Sequence, residues 1–431
     1  MKTIVVGSGG REHALGYKLA RAAGDLELVF LPGNGGTASL GRNVDVDAED
    51  VEALVAFSRD DPPDLVVVGP ENPLASGLAD RLAGEGMTVF GPTADCARLE
   101  SSKAYAKEFM ARHSVPTARF EVFRDPARAH AYIESSGTQV VVKADGLARG
   151  KGVIVTGTRE GAHRAVERIM EERIFGDAGE TVVIEERLRG EEASVLAITD
   201  GENYLILPPS QDHKPIYDGD EGPNTGGMGA YCPAPLVDAG TLADIERNVF
   251  KRTLKGLRAE GMSYRGVIYA GLMLNRDGIS VIEYNVRFGD PEAQAIFPAV
   301  DIDLGDVLAR AAEGRLWESS VVEPSKWAVC VVLASAGYPG PYEKGKPISG
   351  LDRASAAEGV EMFHAGTRLD DSGALLTSGG RVMGVTGCGR SLREAQRRAY
   401  DGSRLVEFEG KYMRSDIGDK GIALLAKTEV R

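Results

Sequence analysis

The chain has 431 residues, a formal charge of −14, 43% hydrophobic and 26% charged residues, and 54 glycines. This length predicts two to four domains, each able to bury its own core, and the negative balance argues against a general nucleic-acid binder. No apolar run is long enough to span a bilayer, Met1 leads straight into a strand without a basic and apolar leader, and Cys96, Cys232, Cys330 and Cys388 are scattered without paired spacing. A membrane protein, a disulfide frame and a zinc site are therefore disfavoured, and a cytoplasmic protein with reduced thiols is expected.

In chain order, Lys2 to Gly7, Glu27 to Leu31, Asp64 to Gly69 and Thr88 to Gly91 read as short apolar strands separated by helix-length segments, the pattern of an open parallel α/β sheet. Each ends in glycines or prolines, and ligands bind at that edge of such sheets. Gly7-Ser8-Gly9-Gly10-Arg11-Glu12 invites a dinucleotide reading. However, Glu12 stands at the third glycine position, and the second strand ends in Pro32-Gly33-Asn34 without an acid for a ribose. What remains is a glycine loop at a helix start, with Gly9, Gly10 and Arg11 suited to a single phosphate. Glu71, at the tip of the third strand, suits either sugar hydroxyls or a helix N-terminus.

A new unit opens after Gly91-Pro92-Thr93 with a helix carrying Lys103 and Lys107. Gln139 to Asp145 and Gly152 to Thr156 read as two strands joined by a loop in which Gly146, Gly150 and Gly152 free backbone amides and Lys151 adds a cation. This suits a flap over phosphates. It is not a Walker A loop, because the spacing is one residue short and a strand follows it. Lys143, inside VVVKAD, needs an anionic partner if its strand is half buried, and a triphosphate would supply one. A helix over 159–172 leads to a strand at Thr181 to Glu186. The extended backbone from Glu185 and Glu186 to Leu188 could pair with an adenine edge, with Glu192 reaching a ribose, or form a plain β turn. Ser210 to Pro233 reads as a long loop without apolar periodicity, in which Gly226 and Gly227 suggest close approach to a ligand, with Asp212 and Lys214 as polar neighbours. His213 is left unassigned.

Val281 to Glu292 holds the densest chemistry. Strand alternation places Glu283 and Asn285 on one face with Val281, about 7 Å apart, as hard oxygen ligands for a cation such as Mg²⁺. Arg287 adds a fork for carboxylate or phosphate. Gly289, Asp290 and Pro291 then turn the chain into a helix opened by Glu292. From Lys326 the chain is β-rich again, followed by a helix at Ser391 to Val406. Ser378-Gly379-Gly380-Arg381 reads equally as a substrate-phosphate contact or as a hairpin turn.

The ordered set GSGGREHAL, PGNGGT, KADGLARGKGV, EEASV, SQDHK, GPNTGGMGAY, YNVRFGDPE, HAGT and SGGRV resembles the ATP-grasp superfamily, and within it the phosphoribosylamine–glycine ligase family, over nearly the whole chain. The resemblance implies that Lys103 and Lys143 hold ATP phosphates, that Gly146 to Gly152 close over them, and that Glu185 to Leu188 form the adenine hinge. Glu192 becomes the ribose acid and Met273 the floor under the base. Glu283 and Asn285 become ligands for Mg²⁺, with Mn²⁺ as the alternative, and Arg287 steadies the transferred phosphoryl group. The implied reaction joins glycine to 5-phosphoribosylamine through an acyl phosphate in purine synthesis. Other ATP-grasp ligases and a non-catalytic nucleotide binder are the alternatives. Arg149 stands where the family has alanine. The strand YAGLML offers Gly271 where many ATP-grasp enzymes carry a further carboxylate, leaving the number of metal ions open.

The expected architecture is α/β and α+β: a parallel α/β substrate domain over 1–103, an ATP-grasp unit over 104–325 with a flap subdomain at about 120–190, and a small β-rich domain over 326–431. The expected state is a monomer acting on small molecules, with no nucleic acid or membrane partner.

Overall fold

The computed structural model describes residues 1–21, 25–136, 139–147 and 152–429. Arg149, Gly150 and Lys151 of the expected flap tip lie outside the described residues. No described helix is long and apolar enough to cross a membrane.

The N-terminal sheet is parallel, with strand order Arg42–Asn43, Glu27–Pro32, Lys2–Gly7, Leu65–Val68, Val89–Phe90. Its central strands are apolar on both faces because helices cover both, so Ile4, Val5, Val66 and Val67 are all fully buried. The two-residue strand Arg42–Asn43 was not expected, since a polar, exposed edge pair carries no hydrophobic signal.

A second sheet, antiparallel in the order Phe120–Phe123, Val182–Glu186, Val140–Ala144, Val153–Val155, forms the flap lobe. Its own core includes Ile133, Val142, Val166 and Ile184. The helix expected over 159–172 runs regularly over Arg159–Val166 and continues as a π turn over Glu167–Glu171.

The central sheet runs Gly278–Asn285, Gly266–Asn275, Glu191–Thr199, Tyr204–Ile206, Ser320–Val321. Here the simple alternation expected for Val281 to Asn285 fails. The register shifts between Gly271 and Leu272, which pair with Glu283 and Val281 respectively, so Ile282 is bulged out. A bulge turns one residue's side chain out of phase. Val281 and Tyr284 therefore both enter the core, while Glu283 and Asn285 face a cleft.

The fourth large sheet orders Gln211–Asp212, Gly229–Cys232, Trp327–Ala334, Arg381–Gly389 and Val360–His364, all antiparallel. Two of its strands come from the segment Ser210 to Pro233 that reads as a loop. That segment also contains a hairpin, Pro215–Tyr217 with Glu221–Asn224. Strands of two to four residues, broken by glycines at positive φ (Gly219 at 70°, Gly222 at 82°, Gly227 at 112°), are too short to show a period. The helix Leu392–Leu405 lies where expected, and a further helix, Asp419–Glu429, follows it.

Arg414 locks this segment down. Its fully buried guanidinium donates to Pro215 O and Asp220 Oδ1, both at 3.0 Å, and to the Asp416 carboxylate at 2.6 and 2.7 Å. Tyr412 donates to Ile216 O at 2.9 Å, and the Gly219 amide to Asp416 Oδ2 at 2.9 Å. Arg414→Met keeps the stem but leaves Asp416 with only the Gly219 amide and Asp220 with only Lys420, so it is expected to cost about 2–3 kcal/mol of stability, read from urea unfolding. A loss below about 0.5 kcal/mol, the range of an ordinary surface change, would deny the locking role.

Candidate active site

A cleft of about 860 Å³ lies where the flap, the central sheet, the N-terminal sheet edge and the C-terminal sheet meet. Among the residues singled out in the sequence, Arg11, Glu71, Lys103, Lys143, Gly152, Glu185, Glu186, Leu188, Glu192, Asp212, Lys214, Gly226, Met273, Glu283, Asn285 and Arg287 line it.

At the flap end the strand Val140–Ala144 aims Lys143 at Glu185 on the neighbouring strand, and Lys107 reaches the same carboxylate from the helix Lys103–Arg112. All three side chains are buried. Burial, helped by the Lys143 charge, pushes Lys107 down to about 8. Burial opposes ionisation of Glu185, but the two ammonium groups outweigh it and hold its carboxyl below the usual range. Lys107 also donates to Thr117 Oγ1 at 2.7 Å, and Lys143 to Ile282 O at 3.2 Å. Lys103 donates to Gly146 O at 2.8 Å, which ties the interlobe helix to the start of the flap loop. Gly146 sits at φ 133° with its α-carbon facing Ala178, a conformation a side chain would strain.

Next along the cleft, the Glu186 carboxylate is occupied by Arg119 through its amide and Nε, both at 3.0 Å. The amide of Leu188 has no protein partner among the described residues, so it is a free edge for a base. Glu192 and Met273 are directly paired across adjacent strands, which places an acid beside an apolar floor.

Lys214 bridges two carboxylates, lying 3.1 Å from Glu192 Oε2 and 3.6 Å from Glu283 Oε1. Burial alone would lower its basicity, but Glu192, Asp212 and Glu283 outweigh it and raise it. Burial opposes ionisation of Glu283 too, yet Lys214, Lys143, Lys103 and Arg287 bring it to about 2. Asp212 behaves oppositely. Burial, reinforced by Glu292, Glu192 and Glu283 against Lys214, pushes its carboxyl up to about 7.

Arg287 is surrounded by oxygens, although its buried Nε makes an ion pair and no hydrogen bond. It donates to Asn285 Oδ1 at 3.0 Å and Phe288 O at 3.2 Å, and it pairs with Glu100 at 3.0 Å and Glu71 at 3.3 Å. Glu100 carries no motif signature, and the sequence reading missed it. It lies in the last turn of the helix Ala94–Ser101 that precedes Lys103, and its other oxygen accepts the Val286 amide at 2.8 Å. Burial raises its carboxyl despite Arg287. Glu71 is brought to about 2, burial being outweighed by Arg287 and Arg11.

The glycine loop expected to cradle a phosphate is already filled. The Gly9 amide donates to Glu12 Oε2 at 2.6 Å, Asp290 Oδ2 accepts the Arg11 amide at 3.3 Å, and Gly10 packs on Gln294. The Arg11 guanidinium binds Glu12 at 2.6 Å and Phe288 O at 3.0 Å. Two of the chain's own carboxylates hold the helix N-terminus that a ligand anion would use. Gly227 is likewise packed on Pro291 and does not line the cleft, whereas Gly226 does.

Among the described residues no group of three or more His, Cys, Asp or Glu side chains is arranged to enclose a metal ion. Glu283 and Asn285 supply two hard oxygens, and the Lys214 ammonium beside Glu283 shows that positive charge is stable there. This donor set fits a divalent cation that completes its shell with phosphate oxygens and water.

Family models match the chain in three consecutive parts: Phosphoribosylglycinamide synthetase N domain over 1–100, ATP-grasp (A) domain over 101–293 and C domain over 328–420. The chain is 49% identical to a phosphoribosylamine–glycine ligase of Chlorobaculum tepidum, covering 98% of this chain and 100% of that one. It is 47% identical to the trifunctional purine biosynthetic protein adenosine-3 of Homo sapiens, covering 98% of this chain and 42% of that protein. The crystal structure of a phosphoribosylamine–glycine ligase from Thermotoga maritima superposes with a TM-score of 0.85 at 38% identity, covering 97% of this chain and 100% of that one. A biotin carboxylase from Campylobacter jejuni shares the fold at 15% identity and a TM-score of 0.71. With all three domain models matched in order and full-length relatives near half identity, the chain belongs to the phosphoribosylglycinamide synthetase family.

Proposed function

We propose that the chain is an ATP-dependent ligase that joins glycine to 5-phosphoribosylamine, giving glycinamide ribonucleotide, ADP and phosphate in purine synthesis. The observation that carries this reading is the single cleft that sets Lys103, Lys143 and the Glu283–Asn285 pair on one side and residues of the N- and C-terminal lobes on the other. Nucleotide chemistry and acceptor recognition thereby share one space. Division into lobes near residues 103 and 325 belongs to the same reading, as does a monomer working in the cytoplasm. The net charge of −14 supports small-molecule partners over nucleic acid.

In this mechanism the adenine edge meets the free amide of Leu188 above Met273, and Glu192 accepts from the ribose. Lys103 and Lys143 neutralise the phosphates. Glu283 and Asn285 would hold Mg²⁺, which supplies charge neutralisation at the transferred phosphoryl group. A glycine carboxylate oxygen forms a bond to the γ-phosphorus as the bond to the bridging oxygen breaks and ADP leaves. The amine nitrogen then attacks the acyl carbon with its own lone pair, phosphate leaves, and the nitrogen loses a proton. Arg287, held by Glu71 and Glu100, steadies the transferred phosphoryl group, and exclusion of water protects the acyl phosphate.

ADP release with ATP and Mg²⁺ is expected only when glycine and phosphoribosylamine, formed in place from ribose 5-phosphate and ammonia, are both present. Release with neither would reduce the protein to an idling ATPase. Glu283→Gln is expected to lower turnover at least about 100-fold while ADP binding changes little, and near-normal turnover would remove the metal assignment. Glu185→Gln leaves Lys107 and Lys143 without their anion. It is expected to lower stability by about 3 kcal/mol in the empty protein and by less with saturating ATP, whose phosphates supply the missing charge. An equal loss in both states would show that the lysines do not meet the nucleotide.

A further inference from the structure

At the end of the cleft away from Lys143, Arg381 keeps open donors. It begins the strand Arg381–Gly389, and among the described residues a single nitrogen makes all its hydrogen bonds and its ion pair. Nη1 donates to Gly226 O at 2.7 Å, Asp290 O at 2.7 Å and Gly227 O at 3.4 Å, and lies 3.2 Å from Asp290 Oδ1. Nε and Nη2 have no protein partner among the described residues, and the side chain, 22% exposed, lines the cleft. Two other guanidinium groups that line the cleft are paired with carboxylates, Arg11 with Glu12 and Arg287 with Glu71 and Glu100, and both donate to Phe288 O.

The surroundings hold this guanidinium in place. Gly226 lies flat against it: a Cβ there would come within 2.9 Å of Cζ and 3.1 Å of Nη2. Tyr338 accepts the Gly226 amide at 3.1 Å, and its ring stands edge-on to Tyr342 at 6.4 Å, both lining the cleft beside Arg381. With one nitrogen anchored, the Nε–Nη2 edge presents two parallel donors, the geometry that takes an oxyanion side-on.

We propose that Arg381 binds the 5-phosphate of the amine acceptor through this edge, with Tyr338 and Tyr342 walling the ribosyl group. The inference rests on the ligase reading above. It moves the acceptor's phosphate from the filled glycine loop at Gly9 to Arg11 to the C-terminal lobe.

The test compares kcat/KM for phosphoribosylamine with that for ribosylamine, made from ribose and ammonia, at saturating ATP and glycine. Wild type, Arg381→Lys and Arg381→Met are compared. The ratio of the two values does not depend on how much of a variant folds. In Arg381→Met the value for phosphoribosylamine is expected to fall about 10- to 100-fold relative to that for ribosylamine, with Arg381→Lys between. Ribose 5-phosphate is expected to inhibit the variants correspondingly more weakly, while ADP inhibits them as it does wild type. If both amines lose the same factor, or ribose 5-phosphate inhibition is unchanged, Arg381 is only a strut beneath Gly226 and the proposal is overturned. Wild type that does not couple glycine to phosphoribosylamine at all would instead overturn the ligase reading, and this inference with it.

Discussion

The structure depends on the expense of leaving charge unpaired away from water. Removing one partner of a buried ion pair costs about 3–5 kcal/mol, more than most side chains contribute to folding. The cleft must nonetheless offer cations to a triphosphate, a carboxylate and a sugar phosphate. The chain meets both demands by holding nearly every cation on its own acid: Lys107 and Lys143 on Glu185, Lys214 on Glu192 and Glu283, Arg287 on Glu71 and Glu100. If the proposed ligase binds its phosphates at these cations, binding is an exchange of anions, and affinity reflects the difference between a ligand phosphate and the carboxylate it joins or displaces. A preformed pair also fixes the cation's position, so little side-chain entropy is lost when the ligand arrives.

The same economy explains where the lobes join. The turn at Asp290 takes the Arg11 amide from the N-terminal lobe, Arg381 from the C-terminal lobe and Gln294 Nε2 at 2.7 Å from its own helix. Burial opposes ionisation of Asp290, but Arg381 and Arg11 outweigh it and keep the carboxyl below its ordinary range. One acid thus does for three segments what a larger apolar interface would otherwise do, and it does so three residues from Arg287.

Much of this was legible in the sequence. The parallel N-terminal sheet announces itself through apolar runs ending in glycine. Lys143 could be picked out because a lysine among valines requires a partner. The positions of Glu283, Asn285 and Arg287 follow from a dense local motif. What was hidden depends on contacts distant in sequence. Nothing near Gly9 says that Asp290, 281 residues away, will fill its loop. Glu100 has no neighbours that mark it, and the sequence leaves Arg381 equally a phosphate contact or part of a hairpin turn until Gly226 and Tyr338 are seen to pack around it. The bulge at Ile282 escaped because alternation is the default for any strand, and only pairing with Gly271 and Leu272 reveals the extra residue.

That bulge is also what makes the site possible. Without it, strict alternation would put Val281 on the same face as Glu283 and Asn285, presenting an apolar side chain to the cleft and withdrawing one from the core that Tyr284 shares. With it, both apolar residues are buried and two oxygen donors still face outward. The displaced Ile282 leaves its carbonyl as the acceptor for Lys143. One inserted residue therefore aims the Glu283–Asn285 pair and joins the flap lobe to the strand that carries it, so Lys143 and the two oxygen donors keep their spacing without relying on the mobile reach of long side chains.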